Sequence, residues 1–295
     1  MLMIDPAQLE TLATVLRTGS FDAAASALNV TPSAVSQRIR ALEDRMGTAL
    51  LIRSLPVEPT EAGRRLARHA DDLRLLEQSL RRDLGQDGRT DRPTVRIAVN
   101  ADSLATWFLP ALAAVPNLLF DLVIDDQDHS DALLLRGEVA AAITARAEPV
   151  PGAHLYPLGA LRYLATASPA FRDRWFADGL SPQNLARAPV LTFNAKDRLQ
   201  RDWAARLTGR RVAMPSHVIG SSHAFVEAAL MDLGWGMNPE ALVKEHIASG
   251  RLIALVPDQP LDVTLCWQVS RLTEKALAPL TRAVRSAARL QLRQT

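Results

Sequence analysis

One helix near the N-terminus has two distinct faces, which limits what this part of the chain can fold into. The segment PSAVSQRIRALEDRM, from Pro32 to Met46, has apolar residues at helical spacing, namely Val35, Ile39, Leu42 and Met46. A second face has the same spacing but is polar, with Ser33, Ser36, Gln37 and Arg40. The pattern predicts a helix that is buried on one side and presents hydrogen-bonding side chains on the other.

Two shorter helices precede this one, and a strand with a turn follows it. We expect the first helix from about Pro6 to Arg17 and the second after Ser20, which suits an N-cap position. Thr31 suits the N-cap of the third helix, and Gly47 suits its end. A short strand from Leu50 to Arg53 leads into a proline-containing turn. This order predicts a winged helix-turn-helix, and an ordinary three-helix bundle with a solvated polar face is the alternative.

The polar face has the chemistry needed to contact DNA. A helix fits the major groove, where Gln37 suits adenine, Arg40 suits guanine or phosphate, and short hydroxyl side chains suit either. Thr31 can meet a phosphate at the helix start, and Arg53 lies in the expected wing. The candidate DNA-binding residues are therefore Thr31, Pro32, Ser33, Ser36, Gln37, Arg38, Arg40 and Arg53.

Net charge gives no support for or against this interpretation. Residues 1–92 contain 13 arginines and 13 acidic residues, so this part of the chain is formally neutral. The case for DNA binding therefore depends on where individual side chains lie.

A long helix and a polar hinge follow the predicted head. From Thr60 to about Leu84 no proline interrupts the chain, and leucines recur at seven-residue spacing at positions 66, 73 and 80. Such an apolar seam predicts pairing with a second copy of the helix. The hinge, GQDGRTDRP at residues 85–93, is rich in turn-forming residues. We expect a head at 1–59, a linker helix and hinge at 60–92, and a further domain at 93–295.

The remainder alternates short apolar strands with helices. Strands are expected at 94–100, 120–125, 139–144, 161–167, 190–193, 217–220, 253–256 and 263–269. Helices are expected at 102–115, 130–138, 170–175, 199–207, 224–233 and 274–292. This order predicts an α/β domain with a mostly parallel sheet.

Two stretches of this domain could bind a small molecule. Asp102 and Ser103 lie at an expected helix start, where free amides favour a carboxylate ligand, although either residue could simply cap the helix. The segment IDDQDHSD, from Ile124 to Asp131, follows a strand and contains four aspartates. A solvated acidic turn, a metal site and a carboxylate pocket for a cationic ligand are the alternatives there.

The sequence lacks the motifs that are typical of several functional classes. There is no GxSxG, HExxH, GxGxxG or Walker motif, so we expect neither an enzyme nor a cofactor-dependent protein. We see no secretory signal and no apolar run of the roughly 20 residues that span a bilayer. The single cysteine, Cys266, is expected in the core. We therefore expect a cytoplasmic, nucleoid-associated protein without membrane contact.

The exact amino-acid sequence of the head favours the winged helix-turn-helix over the ordinary three-helix bundle. GSFDAAASALNVTPSAVSQRIRALEDRMGTALLIR, with TEAG at Thr60–Gly63, closely resembles the DNA-binding domain of LysR-type transcriptional regulators. This resemblance implies a winged helix-turn-helix, a linker helix that pairs two subunits, and a C-terminal α/β effector-binding domain. That domain would have two periplasmic-binding-protein-like subdomains, at about 93–165 with 268–295 and at about 166–267. It also implies a homodimer or homotetramer that acts with RNA polymerase.

Four stretches sharpen the resemblance to one subgroup. VNADSLATWF, the acidic segment, LGALRYLATAS and LGWGMNPE are similar to regulators of lysine and arginine export. This implies a basic amino acid as effector, mostly lysine or arginine and histidine in some members, and an exporter gene as target. The candidate effector-binding residues are Asn100, Asp102, Ser103, Trp107, Asp125, Asp126, Asp128, Thr144, Arg146, Ser221 and Ser222.

Some residues depart from the subgroup pattern, and other functions stay open. His223, Asn238 and Cys266 replace residue types usual at these positions, which leaves the identity of the effector undecided. Arg146 could equally be a surface ion-pair partner. A LysR-type regulator of another effector class, such as an aromatic acid, is the main alternative. A solute-binding module for a transporter is a distant one, because it would need a signal peptide and no head.

Overall fold

The computed structural model describes residues 4–86, 92–125 and 130–294. The head begins with three helices, α1 (Pro6–Thr18), α2 (Phe21–Leu28) and α3 (Pro32–Met46). The side chains of Asp5, Ser20 and Thr31 each accept a backbone N–H bond at the start of one helix. The predicted N-caps Ser20 and Thr31 are therefore confirmed.

The apolar face of α3 forms the centre of the head. Val35, Ile39 and Leu42 are buried, as their spacing predicts, and Met46 is half-buried. They pack against apolar residues of α1, α2 and the start of the wing, including Leu12, Val15, Ala24, Ala25 and Leu50. The opposite face of α3 is thereby left toward solvent.

The wing is a two-stranded antiparallel ribbon that α3 and the linker helix hold in place. Its strands are β1 (Leu51–Ile52) and β2 (Glu58–Pro59). Glu43 Oε1 of α3 accepts N–H bonds from Leu50 at 2.8 Å and from Leu51 at 3.4 Å. Gly63 passes so close to Leu50 that an added Cβ would overlap the Leu50 carbonyl oxygen. Position 63 therefore requires glycine.

The linker helix α4 (Glu61–Asp83) uses only part of its leucine seam inside the chain. Leu66 and Leu73 pack with Ala70 against Leu9 and Ala13 of α1. Toward the C-terminal end, by contrast, Leu80 is 59% exposed and Leu84 is 63% exposed. The seam thus docks the head at one end and leaves apolar surface uncovered at the other.

A seven-stranded mixed sheet organises the rest of the chain. Its strands are β3 (Thr94–Val99), β4 (Leu119–Ile124), β5 (Ala141–Thr144), β6 (Ala153–Ala167), β9 (Gly236–Pro239), β10 (Ile253–Ala254) and β11 (Leu261–Ser270). The order is β10-β6-β11-β5-β3-β4, and β9 also pairs with β6. A separate parallel pair consists of β7 (Val190–Thr192) and β8 (Ser216–Val218).

The prediction of a mostly parallel sheet is wrong. Only β3 lies parallel to its neighbours, β4 and β5, whereas every pairing of β6 and β11 in this sheet is antiparallel. The reason is that β6 begins at Ala153, eight residues before the predicted start, and pairs along ten positions with β11. Both strands run across the predicted subdomain limits, and those limits remain a prediction.

Helices cover this sheet and the parallel pair. They are α5 (Ala101–Ser103), α6 (Leu109–Ala113), α7 (Ser130–Leu135), α8 (Pro169–Trp175), α9 (Pro182–Leu185), α10 (Leu199–Thr208), α11 (Ser222–Leu230), α12 (Glu240–Ala248) and α13 (Ala278–Gln291). The strand β9 and the helices α9 and α12 were not predicted from the sequence. None of the described helices has the length and apolar character needed to cross a membrane.

A π-helical turn, Leu104–Phe108, joins α5 to α6. It places two adjacent aromatic residues, Trp107 and Phe108, in the core, where both are at most 1% exposed. Phe108 lies against Trp267 of β11, whose indole N–H donates to Thr281 of α13 at 3.1 Å. Cys266, next to Trp267, is also buried, and burial raises the pKa of its thiol. The expectation that Cys266 is a core residue is confirmed.

The bond between Glu43 and the wing gives a stability prediction. Glu43→Ala leaves the buried N–H of Leu50 without its acceptor, so the free energy of unfolding of the head should fall by about 1–3 kcal/mol. All five tryptophans lie at or beyond position 107. The urea midpoint of the unfolding transition of the head, followed by circular dichroism, should therefore fall. The midpoint of the transition followed by tryptophan fluorescence, which reports on the C-terminal domain, should not change. Asp44→Ala, at the exposed neighbouring position, is the control and should shift neither transition.

Candidate effector cleft and DNA-binding surface

A cleft of about 330 Å³ opens between the ends of β3 and β4 on one side and β7, α10, α11 and β9 on the other. It is lined by Asn100, Ala101, Asp102, Ile124, Asp125, Phe193, Asn194, Lys196, Asp197, Arg198, Leu199, Gln200, Asp202, Ser222, Phe225, Met237, Asn238 and Pro239. Four of the predicted effector-binding residues are among them: Asn100, Asp102, Asp125 and Ser222.

Asp102 links three elements around this cleft. Its Oδ2 accepts a hydrogen bond from the Tyr163 hydroxyl of β6 at 2.8 Å, and its Oδ1 accepts one from the Ser222 hydroxyl of α11 at 2.6 Å. The N-cap position of α5 is Asn100, which makes no side-chain capping bond. The structure thus has Asn100 at the N-cap position and gives the Asp102 carboxylate partners on β6 and α11.

Asp125 meets a cation from the opposite wall. It follows β4, and its Oδ1 lies 3.5 Å from Nζ of Lys196, which lies between β7 and α10. Both side chains keep contact with solvent, with 27% of Asp125 and 51% of Lys196 exposed. The ion pair therefore spans the cleft in a partly solvated position.

The lining of the cleft carries an excess of negative charge. It contains four aspartates, at 102, 125, 197 and 202, against one lysine and one arginine. The excess among the described residues is thus two negative charges. A cationic ligand is attracted to such a site, and an anion is repelled.

Two buried amides in the cleft wall have unused hydrogen-bonding groups. Both the oxygen and the nitrogen of the Gln200 amide are buried without a partner among the described residues. Asn238 donates from Nδ2 to the Thr166 hydroxyl at 2.9 Å, but its Oδ1 has no partner in the part of the chain that the structure describes. A buried polar group without a partner costs about 1–3 kcal/mol, so a ligand that supplies the partner is favoured. The sequence singled out Asn238 only as a departure from the subgroup, and it did not single out Gln200.

Other predicted effector-binding residues lie away from the cleft surface. Ser103 and Trp107 are buried in the core, with 0% and 1% of their surface exposed. Thr144 is also buried, and its hydroxyl accepts a bond from Gln268 at 3.0 Å. Asp102 lies on the side of the helical segment that faces the cleft, whereas Ser103 and Trp107 lie on the side that faces the core.

The remaining candidates have structural partners or are not described. Arg146 forms an ion pair with Asp131 at 3.0 Å, which matches its alternative role as a surface ion-pair partner. Ser221 is the N-cap of α11 and accepts a bond from the Ala224 N–H at 3.4 Å. Asp126 and Asp128 lie outside the described residues. Among the described residues, no group of three His, Cys, Asp or Glu side chains could hold a metal ion.

The head presents most of its predicted DNA-binding residues to solvent. Ser33, Gln37 and Arg40 are exposed on the face of α3 opposite its buried stripe, and Ser36 is half-buried beside them. The exposed positions also include Thr31, Pro32 and Arg53. Arg38 differs, because it is half-buried and its Nη1 donates to the Thr11 hydroxyl of α1 at 3.5 Å. The structure thus turns Arg38 toward the head's own core.

Comparison with known proteins matches both parts of the chain to family models. Residues 6–64 match the bacterial regulatory helix-turn-helix protein of the lysR family, and residues 88–292 match the LysR substrate binding domain. The chain belongs to the LysR family of transcriptional regulators. The predicted fold, a helix-turn-helix head with a long helix and a C-terminal α/β domain, is confirmed, and the chain is a regulator and not an enzyme.

Similar proteins are LysG and ArgP regulators. ArgP from Mycobacterium tuberculosis has a crystal structure that matches with a TM-score of 0.80 and 41% identity, over 99% of this chain and 100% of that one. Full-length LysG from Corynebacterium glutamicum with bound effector Arg matches with a TM-score of 0.66 and 37% identity, over 98% and 100%. The lysine export transcriptional regulatory protein LysG of Corynebacterium efficiens is 40% identical over 294 residues, 98% of this chain and all of that one.

The hydrogen bond between Tyr163 and Asp102 gives a stability prediction, for which the other tyrosine of the chain serves as the control. Tyr163→Phe removes a donor from a partly buried carboxylate and should lower the free energy of unfolding by about 1.5–3 kcal/mol. The chain has one other tyrosine, Tyr156, whose hydroxyl bonds to Glu274 in a half-exposed position. Tyr156→Phe should cost less than about 1 kcal/mol.

Urea unfolding followed by tryptophan fluorescence measures both variants, because every tryptophan lies in the same part of the chain. An equal loss of stability for the two substitutions would contradict a special role of the Tyr163 bond.

Proposed function

We propose that this regulator responds to a basic amino acid, namely arginine, lysine or histidine, that binds in the cleft. The observation that carries the proposal is the excess of negative charge on the cleft wall, with Asp102 and Asp125 as the cation-binding carboxylates. The bound Arg in the related LysG from Corynebacterium glutamicum supports an amino acid of this class.

The groups of a basic amino acid match the groups of the cleft. A guanidinium or ammonium group suits Asp102 and Asp125, since charged hydrogen bonds to carboxylates are the strongest that such groups make. The amides of Gln200 and Asn238 offer buried donors and acceptors for the α-amino and α-carboxylate groups. The ligand would therefore satisfy buried polar atoms that have no partner within residues 4–86, 92–125 and 130–294.

Effector binding would act by shifting the population of two arrangements of the C-terminal domain. The cleft is lined from both sides, so a ligand that contacts both walls favours the arrangement in which they are closer. The effect would pass through α4 to the head and change how paired heads hold and bend promoter DNA. In this scheme α3 lies in the major groove, with Gln37, Arg40 and the neighbouring serines toward the bases.

The active form would be a homodimer or homotetramer that acts on promoter DNA with RNA polymerase in the cytoplasm, at the nucleoid. The exposed leucines at the end of α4 support self-association, because they leave an apolar seam uncovered. The target would be an amino-acid exporter gene. This follows the similarity to a lysine export regulator.

The effector proposal is tested by calorimetric titration with arginine, lysine, histidine and glutamate. We expect binding of the basic amino acids and none of glutamate. Asp102→Asn removes the charge while keeping the shape, so affinity for arginine should fall by about 10- to 100-fold. Asp258→Asn, at an exposed position outside the cleft, should bind as the unmodified protein does. Thermal stabilisation by an aromatic acid and by no amino acid would contradict the proposal.

The DNA proposal is tested by gel shift with a duplex from the chain's own upstream region and with a random duplex. Gln37→Ala should weaken binding to the upstream duplex by about 5- to 100-fold, since a base contact is worth about 1–3 kcal/mol. Its binding to random DNA should not change. Arg40→Ala should weaken both if it contacts phosphate, and it should lower the salt dependence. Unchanged specific binding by the Gln37 variant would place base recognition elsewhere.

A further inference from the structure

Lysine is rare in this chain, and one of its three lysines lies in the cleft. The lysines are Lys196, Lys244 and Lys275. Lys275 forms an ion pair with Asp83 at the end of α4, and Lys244 is exposed on α12. Lys196 alone lines the cleft, where its Nζ lies 3.5 Å from Oδ1 of Asp125.

The backbone that carries Lys196 is firmly held. The N–H groups of Lys196 and Asp197 donate to Oδ1 of Asn194 at 2.7 and 3.1 Å. The buried carboxylate of Asp197 accepts bonds from the N–H groups of Phe193 at 2.8 Å and Leu199 at 3.1 Å. The loop is therefore fixed at both ends, and the half-exposed lysine side chain is the part that can change position.

The Lys196 side chain has the same terminal group as free lysine. It reaches from one wall of the cleft to a carboxylate on the other wall, which is the contact proposed for the cation of the effector. One oxygen of Asp125 thus already has an ammonium group beside it before any effector binds. A ligand cation that uses this carboxylate must compete with a group of equal charge.

We propose that Lys196 is an internal competitor of the effector at Asp125, and that it sets the affinity of the cleft for basic amino acids. This inference rests on the proposed function, because it assumes a cationic ligand. When the competent form of a site is only partly populated, the apparent affinity falls by that fraction. Occupation of Asp125 by Lys196 reduces the competent fraction in this way.

The partial exposure of the ion pair limits the size of the effect. Exposed pairs are weak and are screened by salt, so Lys196 is displaced by the effector rather than excluding it. Removing the competitor also makes the cleft lining more negative by one charge. Together these effects should tighten binding by about two- to tenfold. The competition therefore tunes the concentration at which the regulator responds.

A different role for Lys196 predicts a change of opposite sign. If its ammonium group bound the α-carboxylate of the effector, its removal would weaken the binding of arginine. Agmatine is arginine without the carboxylate, so the removal of Lys196 would not weaken the binding of agmatine. The two ligands together therefore distinguish a competitor from a carboxylate-binding residue.

The experiment is calorimetric titration of the full chain with arginine and with agmatine. Lys196→Met removes the charge and keeps an unbranched side chain. Lys196→Arg keeps the charge and should keep the original affinity. Lys244→Met is the matched control for loss of one lysine outside the cleft. Thermal melting of each variant checks that the fold is kept.

The result expected is that Lys196→Met binds both arginine and agmatine more tightly by a similar factor, and that the gain shrinks as salt rises. Unchanged affinities would overturn the inference, and so would weaker arginine binding with agmatine unaffected. Titration of the unmodified protein distinguishes a failure of the proposed effector class from a failure of the competition by Lys196. If it binds neither ligand, the proposed effector class fails and the competition fails with it, whereas binding without a gain in Lys196→Met removes the competition alone.

Discussion

The antiparallel pairing of β6 with β11 is the interaction on which the C-terminal part of the structure depends. Ten residue pairs join the two strands, from Leu261 opposite Tyr163 to Ser270 opposite Ala153. One end of this ladder continues into β5, β3 and β4, and the other end of β6 carries β9 and β10. Because both walls of the cleft are attached to the same two strands, their movement is restricted to bending or twisting of this ladder.

Asp102 shows how polar contacts connect the two walls over that ladder. Its partners come from β6 and α11, so one carboxylate fixes the start of α5 against both. The ion pair of Asp125 with Lys196 makes a second and more solvated connection at the opening. The cleft thus combines a partly buried polar contact, which defines its shape, with a more exposed one that can be exchanged for contacts to a ligand.

Local patterns predicted the head well, whereas the cleft depends on contacts that no local pattern contains. Helix periodicity and capping residues such as Ser20 and Thr31 act within a few residues, and the structure has them where the sequence indicated. Asp102, by contrast, finds Tyr163 and Ser222 at separations of 61 and 120 residues. Gln200 and Lys196 face the same space only because the chain folds back, so composition and spacing gave no signal for them. The start of β6 was missed because its first half has a bulge opposite Leu265 and Cys266 and lacks regular alternation.

The π-helical turn between α5 and α6 has a consequence for how this region can vary in length. A π turn holds one more residue than an α turn, and here Thr106 within it donates its hydroxyl to the Asp102 carbonyl at 2.6 Å. Deleting one residue from Leu104–Phe108 would convert this turn to regular α-helix and keep the residues on both sides in nearly the same rotation, because five π-helical residues turn the chain about as far as four α-helical residues. Asp102 would then still face Tyr163 and Ser222. This turn can therefore lose its extra residue without changing which side chain faces the cleft, whereas a deletion within α6 would rotate all the residues before it by about 100°.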